Sequence, residues 1–140
     1  MVCKAAVIGF HRGMLRGILN VIWLFFAGFW LAAGYAVAGV LACLAIVTIP
    51  FGVASFRLAG YVLWPFGRDV VRDPHASGWS ALGNMVWFIL AGVWLAIGHA
   101  LTAIPLILSI IGIPMAYANI KMIPLALTPF GRRVVDRGVY

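Results

Sequence analysis

From Ile18 to Phe56 the chain carries no charged side chain, and from Gly78 to Ile120 it again carries none. About 18 consecutive uncharged, mostly apolar residues are enough to suggest a spanning helix, so either block can enter a bilayer. A globule of 140 residues could not bury two such stretches and still present a soluble surface. Composition agrees: 65% of residues are apolar and 9% charged, against ~45–50% and ~25% in ordinary domains. The chain reads as an integral membrane protein.

The two blocks are copies of each other. WPFGRDVV at residues 64–71 returns as TPFGRRVV at residues 128–135, and the same 64-residue shift aligns Asn20 with Asn84, Trp23 with Trp87, Gly28 with Gly92, Trp30 with Trp94 and Pro50 with Pro114. Across the 52 positions from Asn20 to Val71, 21 are identical to their partners without a gap. This is a tandem duplication. It divides the chain into an N-terminal segment (1–17), repeat 1 (18–73), a linker (74–80), repeat 2 (81–137) and a tail (138–140).

The net charge of +7 is placed as a membrane protein needs it, not as a nucleic-acid site. Lys4, Arg12 and Arg16 precede the first block, Arg68 and Arg72 lie between the blocks, and Arg132, Arg133 and Arg137 follow the second. Positive residues accumulate in short cytoplasmic segments, facing the anionic inner leaflet. Three basic regions on one side require an even number of crossings per repeat. Each repeat is therefore expected to be a helical hairpin, with both termini and the linker cytoplasmic and the repeats related by an axis along the membrane normal. A cleaved leader is not indicated, because the apolar run before Ala36-Val37-Ala38 exceeds the ~7–15 residues of a signal core and continues past it.

The fold class follows: an all-α membrane protein of two tandem hairpins, about four membrane segments, with prolines breaking the second helix of each hairpin. The hairpin turns are expected at Val37–Val40 and Leu101–Ile104, with Pro105 suited to the first turn of a new helix. Pro50 and Pro114 then fall in midspan, and Pro124 stands opposite Gly60, so kinks are expected there. An alternative is a short re-entrant hairpin from Asn20 to Ile49 followed by an interfacial helix through Trp64. In PFGR the glycine offers the positive φ needed at a helix terminus, and Arg68 or Arg132 pins the exit at the headgroups.

Within the first helix the residues common to both repeats fall on two stripes. Asn20, Trp23, Ala27, Leu31 (or Trp30) and Gly34 form one; Gly28, Ala32 and Ala36 form another, repeated as Gly92, Ala96 and Ala100. Small residues four apart let helices approach closely in lipid, so these six are expected at helix contacts. Asn20 and Asn84 are expected to cap their helices or to bond to a neighbouring helix. Trp23, Trp87 and Trp64 suit headgroup level, and Trp30 and Trp94 suit deeper packing.

Enzymatic chemistry is not indicated. Asp69, Asp73 and Asp136 sit beside arginines, His11 and His75 lie outside the apolar blocks, and His99 stands opposite Tyr35 without a second titratable group at ligand spacing. Cys3 and Cys43 suggest neither a disulfide framework nor a metal site. No catalytic residue, cofactor or metal is expected.

The segments LNVIWLFFAGFWLAAGY, IVTIPFGVASFRL and WPFGRDVV, echoed by LGNMVWFILAGVWLAIGH, SIIGIPMAYANIKM and TPFGRRVV, resemble the YccF-domain family of bacterial inner-membrane proteins. The resemblance covers nearly all of the chain after the first dozen residues. Ser55 and Thr128 stand where the other repeat has Asn119 and Trp64. It implies a small polytopic plasma-membrane protein and no catalytic residues.

Two functions remain. One is an accessory or scaffold subunit whose partners are the anionic bilayer and other membrane subunits or further copies of itself. The other is a homo-oligomeric channel or transporter, possible for anions, with the equivalent cations Arg57 and Lys121 near the path. Against the second, Arg57 lies seven residues before Trp64 and can snorkel to the headgroups, which Arg68 and Arg132 also contact.

Overall fold

The computed structural model describes residues 2–137, with side chains from residue 8 onward; the tail at 138–140 and the terminal residues Met1 and Tyr140 lie outside the described residues. Each repeat is a hairpin of long apolar helices. Repeat 1 runs through α1 (Val2–Trp23), a single π-helical turn (Leu24–Gly28) and α2 (Phe29–Cys43) as one rod. The chain reverses, passes a 3-10 turn (Ile46–Thr48) and returns as α3 (Ile49–Leu63). Repeat 2 copies this with α4 (Trp79–Trp87), a π turn (Phe88–Gly92), α5 (Val93–Leu108), a 3-10 turn (Ile110–Gly112) and α6 (Ile113–Leu127). Four segments, Ile8–Cys43, Ile46–Leu63, Trp79–Leu108 and Ile110–Leu127, are long and apolar enough to cross a membrane.

The turns lie beyond Val37–Val40 and Leu101–Ile104, which are helical. The chain leaves the helix at Ala45 and Ser109, whose backbones are extended. In lipid a helix satisfies its own backbone, and neither Val37–Val40 nor Leu101–Ile104 holds a proline or a charge that would end it. Pro105 falls inside α5, near its end. The prolines that start new helices are Pro50 and Pro114, in the first turn of α3 and α6, where their missing N–H has no partner to lose. The proline-marked discontinuity is thus the 3-10 to α junction near the start of each returning segment, not a kink in midspan. Pro124 lies within α6, whose last turn is closed by Thr128, donating from both N–H and Oγ to the Pro124 carbonyl.

The paired π turns alter which face is buried. A π turn holds one residue more than an α turn, so everything after it rotates by about 100° around the helix. In a regular helix Trp30 would follow Trp23 on one face, seven residues on. Instead the buried stripe steps to Gly28, Ala32, Tyr35 and Gly39 in repeat 1, and to Gly92, Ala96, His99 and Ala103 in repeat 2. Trp30 and Trp94 point outward, each 70% exposed.

Among the described residues the helical body is joined by one two-stranded ribbon that the sequence reading did not place. β1 (Arg68–Arg72) pairs antiparallel with β2 (Arg132–Asp136), with Val70 opposite Val134 at its centre. Both strands leave their helices through Gly67 and Gly131, at φ +96° and +77°. These are left-handed conformations that a glycine adopts without strain. The octad is a helix exit followed by a strand, and its β-branched Val-Val pair suits the strand.

Val70 and Val134 are equivalent under the duplication, and so are Tyr35 and His99, which hydrogen-bond at 3.0 Å. The pseudo-two-fold axis therefore passes through both pairs. Around it the tip of each hairpin lies beside the base of the other. Trp87, Leu90 and Ala91 of repeat 2 line a crevice with Ala38, Leu41 and Ala42 of repeat 1, and Ile22 and Phe26 line its counterpart with Thr102, Pro105 and Leu106. The Phe51 ring, near the tip of the first hairpin, packs edge-on against Phe130 at the base of the second, at 5.2 Å between centroids.

Candidate functional site

The element both repeats keep most faithfully is a lid over the end of the returning helix. The amide of Asn20 donates to the Phe66 carbonyl at 3.0 Å and accepts from the Phe66 N–H at 2.9 Å. Asn84 holds Phe130 in the same way, at 3.0 and 2.8 Å. One turn on, the Trp23 indole N–H donates to the Val62 carbonyl at 2.6 Å, and that of Trp87 to the Ala126 carbonyl at 2.7 Å. Val62 and Ala126 belong to the last turns of α3 and α6, whose carbonyls have no partner within the helix. Asn-x-x-Trp thus closes the C-terminus of the antiparallel helix and fixes the turn that follows. Asn20 and Asn84 do not open helices; each lies within one, and they act across the hairpin.

The ribbon is fastened to the helices by charge. Lys121 donates to Asp69 and to the Arg68 carbonyl, Arg137 reaches Asp69 at 2.6 Å, and Arg68 pairs with Asp136 at 3.2 Å. Arg57, the counterpart of Lys121, donates to the Arg132 carbonyl at 3.0 Å. The hydrogen bond from Lys121, supported by Arg137, holds the Asp69 carboxyl below the usual carboxylate range, although partial burial opposes this. A depressed pKa stabilises above the unfolded value of about 3.9 and is lost as pH falls through the folded value. Acidification below about pH 4 should therefore loosen the ribbon in the native chain. Asp69→Asn should loosen it already at neutral pH, read as faster amide exchange at Val70 and Val134; protection independent of both changes would show that the valine packing alone holds it.

On the axis lies a polar cluster enclosed by apolar helices. Tyr35, Ser55, His99 and Asn119 are all at most 1% exposed. His99 Nε2 meets the Tyr35 hydroxyl at 3.0 Å and its Nδ1 meets Asn119 Oδ1 at 2.9 Å, while Ser55 donates to the Tyr35 carbonyl at 2.5 Å. Asn119 Nδ2 has no partner among the described residues. Such groups join helices because lipid offers them no alternative partner. Ser55 and Asn119 are equivalent positions, so the cluster is one symmetric contact that the two repeats fill with different side chains.

Comparison with known proteins places the fold. A family model described as the YccF "Inner membrane component domain" matches residues 18–68 and again residues 82–132. The chain belongs to the YccF family. It is similar to the protein described as "Inner membrane protein YccF" in Escherichia coli (strain K12), with 32% identity over 131 residues, 87% of this chain and 88% of that one. The same figures hold for the protein so described in Shigella flexneri. No solved structure gives a significant match. The chain is an inner-membrane protein with four segments able to cross the bilayer.

Within the YccF repeats, the small residues singled out from sequence are divided by position. Gly28, Ala32, Gly92 and Ala96 are buried, Ala36 is half-buried, and Ala100 is exposed. A Cβ on Gly28 would lie 2.5 Å from the Trp23 Nε1 and 3.3 Å from the Val62 carbonyl oxygen, so this glycine admits the lid tryptophan. Between the hairpins, Leu31 lies beside Gly98 and Gly34 beside Leu95, next to the Tyr35–His99 bond. Trp23 and Trp87 are buried rather than placed as interfacial belts. Arg57, Lys121, Arg68 and Arg132 converge on the ribbon. Sequence reading missed the His99–Asn119 pair, because positions 35/99 and 55/119 are only two of the many at which the repeats differ.

Proposed function

We propose that the protein is a non-catalytic accessory or scaffold component of the inner membrane, held from the cytoplasmic face by its arginine-rich ribbon. The observation that carries this reading is that both in-helix cations are engaged by the ribbon: Arg57 at the Arg132 carbonyl and Lys121 at Asp69. Charges so engaged serve to fasten cytoplasmic structure to the helices. Wide exposed apolar faces, including Phe29, Phe25 and Trp30, the last two with their counterparts Ile89 and Trp94, are left for lipid or for other membrane subunits.

The ribbon also governs orientation. If the hairpins stood upright, tip beside base, their bases would face opposite membrane surfaces and the ribbon would carry its arginines through the hydrocarbon. A single Arg at the bilayer centre costs at least about 2.5–3.5 kcal/mol. The ribbon therefore lies flat on one surface, the pseudo-two-fold axis follows the membrane normal, and both hairpins are inserted obliquely. The positive-inside bias makes that surface cytoplasmic, together with the linker and both termini. In a background lacking Cys3 and Cys43, a cysteine at Ala76 should resist an impermeant thiol reagent in intact cells and react after permeabilisation. Ready labelling in intact cells would overturn the orientation.

The function itself is tested by purification in mild detergent with measurement of particle mass. A stable larger partner is the expected result. A uniform homo-oligomer that conducts ions in liposomes above the empty-vesicle level would overturn the accessory reading and establish the channel.

A further inference from the structure

The duplication that built the ribbon left its two ends unequal in charge. At one end three cations, Arg68, Lys121 and Arg137, meet two carboxylates, Asp69 and Asp136. At the other end the equivalent positions hold Arg132, Arg57 and Asp73 for the first three, and Arg133 and Arg72 for the two carboxylates. Four arginines and one aspartate thus occupy the positions that hold three cations and two carboxylates at the first end. The Asp73 carboxylate accepts from the His75 N–H at 3.0 Å, and among the described residues it makes no ion pair. The strand register sets Arg72 directly opposite Arg132, where the other end sets Asp136 opposite Arg68. Like charges directly opposed across a ladder are destabilising unless something lies between them.

We propose that this end of the ribbon binds the phosphodiester of an anionic phospholipid, which takes the part that Asp69 plays at the other end. Arg57, Arg132 and Arg133 line one shallow cleft together with Leu58, Leu125 and Pro129. Arg57 is presented from inside an apolar helix and held toward the cleft by its bond to the Arg132 carbonyl. Planar guanidinium groups match phosphate oxygens in bidentate geometry, which a single ammonium does not. The occupant is a lipid rather than free phosphate because the cleft floor is apolar and one of its cations rises from a membrane segment. This reading rests on the ribbon lying at the membrane surface, and its test is independent of which surface that is.

The test is native mass spectrometry of the purified full chain in an uncharged detergent, titrated with phosphatidylglycerol, phosphatidylcholine or inorganic phosphate. One phosphatidylglycerol should be retained per chain, in preference to phosphatidylcholine. Arg133→Asp, which writes the repeat 1 residue into repeat 2, should weaken this retention at least tenfold without lowering the melting temperature; Arg133→Gln serves if the aspartate variant does not fold. Arg12→Asp makes the same change in net charge on the exposed part of α1 and should leave retention unchanged. Equal losses for Arg12→Asp and Arg133→Asp would reduce the effect to net charge and overturn the site. Inorganic phosphate displacing the lipid at equal concentration would overturn the lipid assignment.

Discussion

Leucine in place of Gly28 should keep the first hairpin from closing, and leucine in place of Gly92 should damage the second less severely. The first added carbon at position 28 already meets the Trp23 indole at 2.5 Å and the Val62 carbonyl oxygen at 3.3 Å. Neither can retreat, because the indole N–H is bonded to that same carbonyl. At Gly92 the nearest atoms are the Ala126 oxygen and Trp87 Cδ1, both at 3.1 Å, so these neighbours need give by only a few tenths of an ångström to admit the first carbon. Overpacking costs roughly 1–3 kcal/mol where a core can yield, and more where backbone is in the way. Ala38→Leu is the matched control, since Ala38 lines the crevice between tip and base and has open space beside it. Thermal unfolding in detergent should rank the variants Gly28→Leu, Gly92→Leu, Ala38→Leu from least to most stable. Equal midpoints would show that the glycines face lipid.

Much of this architecture was legible because the chain is written twice. The 64-residue shift revealed the repeat, and three basic flanks with two charge-free blocks suggested hairpins. Two proline pairs are present in both copies; Pro50 and Pro114 mark where each returning helix begins and Pro65 and Pro129 follow its end, whereas Pro105 has Leu41 as its counterpart and marks nothing shared. Helical periodicity failed at one place for a definite reason. The stripe Trp23, Ala27, Leu31, Gly34 assumes an unbroken α-helix, and the π turn at Leu24–Gly28 advances the buried face by one residue to Ala32 and Tyr35. Nothing in the sequence of LFFAG or FILAG announces such a turn. The ribbon was illegible for another reason: Arg68–Arg72 and Arg132–Asp136 are each too short and too charged to read as strands alone, and they become strands only by pairing with each other. Long-range pairing also hid the roles of Asn20 and Asn84, whose partners lie 46 residues away.

Trp23 and Trp30 are the sharpest comparison the chain offers, since both recur in repeat 2 and only one is structural. Trp23→Ala should be among the most damaging single changes. It removes a side chain that is 0% exposed, at about 3–5 kcal/mol for a large aromatic truncated in a packed core. It also leaves the Val62 carbonyl without its partner, at about 1–3 kcal/mol for a buried acceptor. Trp23→Phe keeps most of the volume but orphans the same carbonyl, so it isolates the second effect, with an expected loss of about 1–3 kcal/mol. Trp30→Ala should leave the unfolding midpoint in detergent nearly unchanged, because that ring is 70% exposed and stands edge-on to Phe29 at 5.4 Å. The pair Trp87→Ala and Trp94→Ala should repeat the contrast in the second hairpin. A large loss for Trp30→Ala in an isolated chain would refute the rotated helix face. The same loss confined to a copurified assembly would instead locate a partner on the Trp30 face, where the accessory reading needs one.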